Sequence, residues 1–555
     1  MLTGDYVIGL DFGTLSGRAV LVDAATGEEL ATTVCEYAHG VMDKTLDSAD
    51  GRSLPPDFAL QDPRDYLEVL GEIVGGVLEG AGADPERVIG IGVDFTSATV
   101  LACRSDGTPV CLDPRFENDP HSWVKLWKHH GAHEQARRIQ ELAESRQEPW
   151  LTRYGGFVSP EMLLPKVFET FEESPGVYEA TEVFCDAVDW ITWQLTGRLT
   201  FAAGDSGYKR MLQDGHYPSR EFLGSLDPRF ADVYESKMSA PVLSLGEAVG
   251  RIRPEFAGRF GLRSDVVVAV GSIDAHAAAV GVDAVETGQM TAIMGTSACY
   301  LVSSSELHDV PGMFGVVDGG IVSGLWGYEA GQTAVGDIFA WFLENCVPPR
   351  YFDEAQERGV SLHEVLTDRS REQEVGEHGL VALDWHNGNR SILGDPGLSG
   401  LMLGQTLSTI PEDQYRALLE ATAFGARTII QSFRKAGVEV NELVVAGGIA
   451  RNDFYMQMLC DVCHVPLSVA TTEQPGALGA AAFAAVAAGV YPDVPSACRV
   501  IGAKQPGVYQ VDEARAARYD DLYACYLGLH DHFGADRREI MHRLRSIRHT
   551  ALASQ

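Results

Sequence analysis

The chain has 555 residues, 45% of them hydrophobic and 22% charged, an ordinary globular balance at a length that calls for two large domains rather than one core. A net charge of −35 argues against nucleic acid as a partner, because a phosphate backbone needs a basic face. No charged-then-apolar leader opens the sequence and no run is long enough to span a bilayer, so a cytoplasmic protein without a membrane partner is expected.

Residues 6–22 read as strand, turn, strand. An apolar run ends in Asp11, a Gly/Thr/Ser turn reverses the chain, and a second apolar run follows. Gly13 and Gly17 let backbone N–H groups converge, Thr14 and Ser16 add hydroxyls and Arg18 adds a cation, so the turn suits an anion such as phosphate. A carboxylate closing a buried strand is costly unless a cation compensates it, and beside phosphates the natural cation is Mg²⁺. The same residues also fit an ordinary hairpin whose Asp accepts turn N–H bonds.

A third strand is expected near residues 30–34, then a polar loop over 38–62, long enough to be a surface or interface feature. The spacing predicts a helix over 65–80. Residues 88–101 read as buried strand, polar tip and strand, the start of a mixed α/β sheet. Residues 113–194 read as a largely helical elaboration, with helices at 122–144 and 186–195. The first would carry Trp123 and Trp127 one turn apart, packed in the core or lining a cleft. His129, His130 and His133 lack a convergent carboxylate pattern and are expected at a solvated helix end. Residues 203–210 read as turns projecting Lys209, and 248–265 as a domain junction.

The opening grammar then returns. An apolar strand over 266–270 leads into Gly271-Ser272-Ile273-Asp274 and a helix. Residues 289–303 form a second small-residue hairpin with Gly295-Thr296-Ser297 at its tip. Two halves each presenting a Gly/Thr/Ser turn suit two domains gripping one polyphosphate. Further on, the pattern predicts a strand at 321–328 and a helix with Ile338, Phe339, Trp341 and Phe342. A long helix over 413–435 precedes a strand delivering Gly447-Gly448 into a helix; another helix opens at Pro475, and the last, over 513–530, runs into a basic tail. Cys460-x-x-Cys463-His464 matches a haem-attachment spacing, but it lies in an amphipathic helix. The ten cysteines read as apolar fillers in a reducing compartment.

Asp274, just past a buried strand at a helix start, is expected to be ionised, since the helix dipole lowers its pKa. Beside a phosphate grip it would accept a proton from a substrate hydroxyl during in-line phosphoryl transfer; capping its helix is the simpler role.

Together Asp11-x-Gly13-Thr14, the Asp274 segment, Gly295-Thr296-Ser297 and Ala446-Gly447-Gly448 occur in the order and approximate spacing of the FGGY carbohydrate kinases. The chain resembles that family over nearly its whole length. Asp94-Phe95-Thr96-Ser97, Lys125-Leu126-Trp127-Lys128-His129, Gly207-Tyr208-Lys209 and Gly327-Tyr328-Glu329-Ala330-Gly331-Gln332 resemble its ketopentose-phosphorylating members. The Gln-Arg-Glu tip of glycerol kinases and the Gly-Gln tip of xylulokinases are missing after the strand at 88–93.

The resemblance implies an α/β fold of two actin-like (ribonuclease-H-like) domains with a cleft between them and helical elaborations on the first. The domains would be 1–260, with the sugar site and phosphate hairpin, and 261–555, with the catalytic Asp and nucleotide site. It implies ATP and Mg²⁺ as cofactors and a small ketopentose as the phosphoryl acceptor. Asp11 would place Mg²⁺; Gly13, Thr14, Ser16, Arg18, Gly295 and Thr296 would hold phosphates; Gly447, Gly448 and Asn452 would border the nucleotide. Asp274 would be the general base, and Ser97, Trp127, Lys209 and Glu329 would shape the sugar site with it. An actin-like ATPase without a sugar substrate is the rival from another class. The oligomeric state stays open, a homodimer being compatible with the sequence.

Overall fold

Two seven-stranded sheets with one strand pattern organise the computed structural model, which describes residues 4–553. In the first, Tyr6–Phe12 pairs antiparallel with Ser16–Asp23, which pairs antiparallel with Glu29–Glu36. On its other side Tyr6–Phe12 runs parallel to Val88–Phe95, followed by Val267–Ala269 and antiparallel Ala248–Arg251. The second sheet repeats this. Gly288–Met294, Ala298–Ser304 and Trp326–Gln332 form the antiparallel meander; Val440–Ala446 and Leu467–Ala470 continue parallel, and Lys504–Tyr509 closes antiparallel. Strands Val267–Ala269 and Ser272–Ile273, beyond the 260/261 division expected from the sequence, pair with the first sheet.

The period-2 alternation of strands explains how the site is placed. Ile8, Leu10 and Phe12 face one core with Ile73 and Val77 of the Pro63–Ala81 helix. Val7, Gly9 and Asp11 face the other way, and Gly90, Gly92 and Asp94 do the same one strand over. A Cβ on Gly9 would lie 1.7 Å from the Ala477 carbonyl oxygen, and one on Gly92 1.9 Å from that of Ala480. Only glycine lets the Pro475–Ala487 helix lie flat on these strands. The helix thereby aims its N-terminus at the ends of both, where a Cβ on Gly476 would sit 3.2–3.3 Å from carboxylate oxygens of Asp11 and Asp94. The same helix meets the Asp274–Gly281 helix backbone to backbone, through Gly479 and Gly281.

Several expected elements differ. The helix expected over 122–144 is a 3-10 turn, Pro120–Ser122, a short strand, Val124–Lys125, and a helix that begins only at His133 and ends at Arg146. Strand pairing of Leu60–Gln61 with Val124–Lys125 and burial of Trp123 among Met42, Leu46, Phe58 and Leu60 override the helical spacing. Trp123 and Trp127 therefore do not share a helix face. The same cluster pins the long 38–62 segment, which adds the bridges Met42–Leu60 and Thr45–Ser53. His129 is fully buried and bonded to Glu169 at 3.0 and 3.1 Å, rather than solvated.

Residues 203–208 form a helix, Ala203–Tyr208, with Lys209 as its C-cap, where turns were expected. The 248–265 stretch is a strand of the first sheet and the helix Pro254–Phe260. The strand expected at 321–328 is Trp326–Gln332, and the basic tail continues as the helix Arg538–Ala553. Cys460 and Cys463 lie in the Asp453–Cys463 helix, and all ten cysteines are unpaired. Among the described residues no helix is long and apolar enough to cross a membrane.

Candidate active site

Three carboxylates converge where the first sheet ends. Register places Asp11 beside Asp94 on the neighbouring parallel strand, and Ser272, two residues before Asp274, beside Asp94 on its other side. Arg18, opposite Asp11 in the hairpin, donates Nη1 to Asp11 Oδ2 at 3.1 Å and Nη2 to Ser16 Oγ at 3.2 Å. Asp94 is fully buried, and neither of its carboxylate oxygens has a hydrogen-bond partner among the described residues. Burial, with the charges of Asp11 and Asp274, pushes its carboxyl well above the usual range.

Asp274 is the first residue of its helix, and its Oδ1 accepts from the Ala275 N–H at 2.7 Å. Desolvation by the surrounding protein, then the charge of Asp11, raises it to about 7. The sequence-based expectation of a pKa lowered by the helix dipole is thus reversed, because burial beside another carboxylate outweighs a helix end. Such a crowd of carboxylates, one with both oxygens unmatched, is suited to a cation. Two other groupings, His39–Asp62–Asp65 and His121–Glu169–Glu173, already hold cations, with Arg64 2.5 Å from Asp62 and Lys125 2.5 Å from Glu169.

The first hairpin tip is braced from the insertion. Gly13 N–H bonds Ser16 O at 3.0 Å, Gln61 Nε2 donates to Thr14 O at 2.8 Å, and Trp127 Nε1 donates to Thr14 Oγ1 at 3.0 Å. Trp127, expected among the sugar-shaping residues, is thus bonded to the hairpin. The second tip, Gly295-Thr296-Ser297, is exposed. Its carbonyls accept from the start of the Gly336–Cys346 helix, Gly336 N to Gly295 O at 3.0 Å and Val335 N to Thr296 O at 2.7 Å. Gly447 has φ 101°, and a Cβ there would meet the Met294 carbonyl oxygen at 2.3 Å, so the turn rests on the base of that second hairpin. Asn452 caps the following helix by accepting from Tyr455 N–H at 3.1 Å and turns its amide to Thr367.

Beyond Asp274, Lys209 Nζ lies 3.4 Å from both oxygens of Glu329, and His276 Nε2 lies 3.3 Å from Oε2. Burial opposes the charge on Glu329, but Lys209 and then His276 outweigh it and hold it at about 2. Ser97 sits on the tip after Val88–Phe95, followed by Ala98 at φ 48°. That tip is fastened by Lys166, fully buried, whose Nζ donates to Ala98 O and Leu126 O, both at 2.7 Å. Burial lowers Lys166 to about 7.

Asp94 and Lys166 escaped the sequence-based site assignment. Asp94 had a signal, since Val93-Asp94-Phe95-Thr96 repeats the pattern of Leu10-Asp11-Phe12-Gly13. Lys166 lies in an apolar helix and had none.

Known proteins supply the family. The model of the FGGY family of carbohydrate kinases, N-terminal domain, matches residues 6–281, and that of its C-terminal domain matches 290–488. A ribulokinase of Mycolicibacterium smegmatis is 51% identical over 98% of this chain and 97% of its own. One of Anoxybacillus flavithermus is 46% identical over 99% and 98%. Among solved structures, a xylulose kinase from Rhodospirillum rubrum superposes with TM-score 0.80 at 22% identity, covering 97% of this chain and all of that one. A glycerol kinase from Plasmodium falciparum reaches 0.75 at 15% identity, covering 95% and 99%. These structural likenesses carry the two-domain kinase fold, and with both domain models matched this chain belongs to the FGGY family of carbohydrate kinases.

Proposed function

We propose that the chain is an ATP-dependent ribulokinase, transferring the γ-phosphoryl group to the terminal hydroxyl of L-ribulose and yielding L-ribulose 5-phosphate in L-arabinose degradation. The observation that carries this reading is the position of Asp274, a carboxyl between the Asp11–Asp94 pair and the Lys209–Glu329 pair. The full-length relatives named ribulokinase support the choice of sugar.

In this reading Gly13, Thr14, Ser16 and Arg18 face Gly295 and Thr296 across the ATP phosphates, and Gly447, Gly448 and Asn452 border the nucleotide. Asp11 and Asp94 hold Mg²⁺, which when bound neutralises phosphate charge. The sugar lies against Ser97, Lys209 and Glu329, with Trp127 closing the boundary to the hairpin. The terminal hydroxyl oxygen bonds to the γ-phosphorus, the bond to the ADP oxygen breaks, and the hydroxyl proton passes to Asp274. Hydrogen bonds from several fixed groups to sugar hydroxyls reject analogues lacking one.

A cytoplasmic enzyme is the reading that ten unpaired cysteines and dependence on ATP support. A panel of ketopentoses and pentitols in a coupled ADP-release assay tests the reading. Preference for L-ribulose supports it; preference for D-ribulose, or ADP release indifferent to sugar, overturns it.

A further inference from the structure

A second charged pair spans the two halves farther from Asp274. Arg390 Nη2 donates to Glu161 Oε1 at 3.1 Å, and His130 Nε2 lies 3.1 Å from the same oxygen. Glu161 precedes the Leu163–Glu173 helix, and its N–H is fixed by Ser159 Oγ at 3.1 Å. Arg390 stands on a loop tied to the Glu329 strand, Ser391 N to Gly331 O at 3.2 Å and Gly331 N to Ser391 Oγ at 3.1 Å. Between the two charged pairs lies Phe314, with Lys209 4.7 Å and Arg390 4.9 Å from its ring centroid. Phe314 thus links the Lys209–Glu329 pair, whose charges act on Asp274, to the Arg390–Glu161 pair.

The far pair is only half matched. Glu161 uses one oxygen for both partners, and Oε2 accepts no hydrogen bond among the described residues; Arg390 uses Nη2 alone. Their side chains keep 15% and 30% of their surface open. A carboxylate with a free oxygen beside a guanidinium with free N–H groups offers one acceptor and several donors at fixed positions. A hydroxyl beside a carbonyl matches that set, the hydroxyl donating to Glu161 and the carbonyl accepting from Arg390.

We propose that Glu161 and Arg390 form the far wall of the sugar site and bind the ketose end, the C1 hydroxyl and C2 carbonyl, opposite the hydroxyl that is phosphorylated. This rests on the ketopentose kinase reading and adds how the enzyme recognises a ketose rather than a pentitol.

The test compares wild type, Glu161→Gln and Arg390→Gln on L-ribulose and on 1-deoxy-L-ribulose, which lacks the remote hydroxyl. On L-ribulose both variants are expected to raise the sugar KM about tenfold or more while the ATP KM stays within about twofold. On the deoxy sugar, Glu161→Gln is expected to match wild type within about twofold, its contact being already gone. Equal losses for Glu161→Gln on both sugars, or matching losses in the ATP KM, assign the pair a structural role and overturn the proposal. Should Glu161→Gln melt below the assay temperature, Arg390→Lys, which keeps the charge but not the fork, carries the KM comparison between L-ribulose and ribitol. A narrowed preference for the ketose supports the proposal, and an unchanged one overturns it. Wild type inactive on every ketopentose overturns the kinase reading itself, a result separate from any variant effect.

Discussion

The indole N–H of Trp127 donates to the hydroxyl of Thr14 at 3.0 Å, joining the insertion to the tip of the first hairpin across 113 positions of sequence. The tip proposed to hold phosphate and the segment proposed to face the sugar thus share one hydrogen bond, and movement of either is felt by the other. Trp127→Phe keeps most of the ring and removes that bond. The expected loss is about 1 kcal/mol, read as roughly a fivefold rise in the ATP KM. Steady-state kinetics with either substrate varied checks this, and a change confined to the sugar KM would contradict it.

Asp274→Asn keeps the shape and removes the proposed base. The turnover number is expected to fall about 10²–10⁴-fold, while sugar binding by calorimetry changes little. Because the base acts only when ionised and its carboxyl sits at about 7, sugar kcat/KM in the free enzyme rises with pH through that value.

Lys166→Met leaves the carbonyls of Ala98 and Leu126 without their donor in a buried site. Loss of roughly 2–4 kcal/mol in stability is expected, with a raised sugar KM because the Ser97 tip loses its anchor. Urea unfolding followed by fluorescence, together with kinetics on the folded fraction, separates the two effects.

Glu329 has a carboxyl held at about 2 against an ordinary value of 4.5. A depressed folded-state pKa gives stability that is fully present above pH 4.5 and is lost as pH falls toward 2. The size is about 3 kcal/mol at most. Glu329→Gln should therefore show a shallower loss of melting temperature between pH 5 and 3 (about two units) than wild type. Parallel acid-melting curves would refute the assignment.

Gly92→Ala places a Cβ against the Ala480 carbonyl oxygen, which is backbone and cannot rotate away. Destabilisation of roughly 3 kcal/mol or more is expected, checked by denaturant midpoint.

Features carried by contiguous residues were legible in the sequence. Asp11 and Asp274 announce themselves because a carboxylate closing an apolar strand needs a reason, and both small-residue hairpins stand at the expected tips. Asp94 gains its meaning only from strand register, which sets it beside Asp11. Glu161 and Arg390 meet across 229 positions, and no local pattern encodes that distance. Trp123 misled because helical spacing and a two-residue strand in a small sheet share the same apolar positions. The expected pKa of Asp274 failed for a similar reason, since the helix end is local and the competing carboxylate is not.

The Pro475–Ala487 helix belongs to the last fifth of the chain, yet it covers Val7, Gly9, Gly90 and Gly92 of the first sheet. During synthesis that face stands bare from the completion of Val88–Phe95 until its cover emerges about 380 residues later. At roughly 5–20 residues per second this is about 20–80 s. The nascent chain therefore carries an unprotected, glycine-flattened apolar surface for most of its time on the ribosome, and this is where a chaperone would be drawn. Expression yield is thus exposed to changes in that helix even where they lie far from its N-terminus.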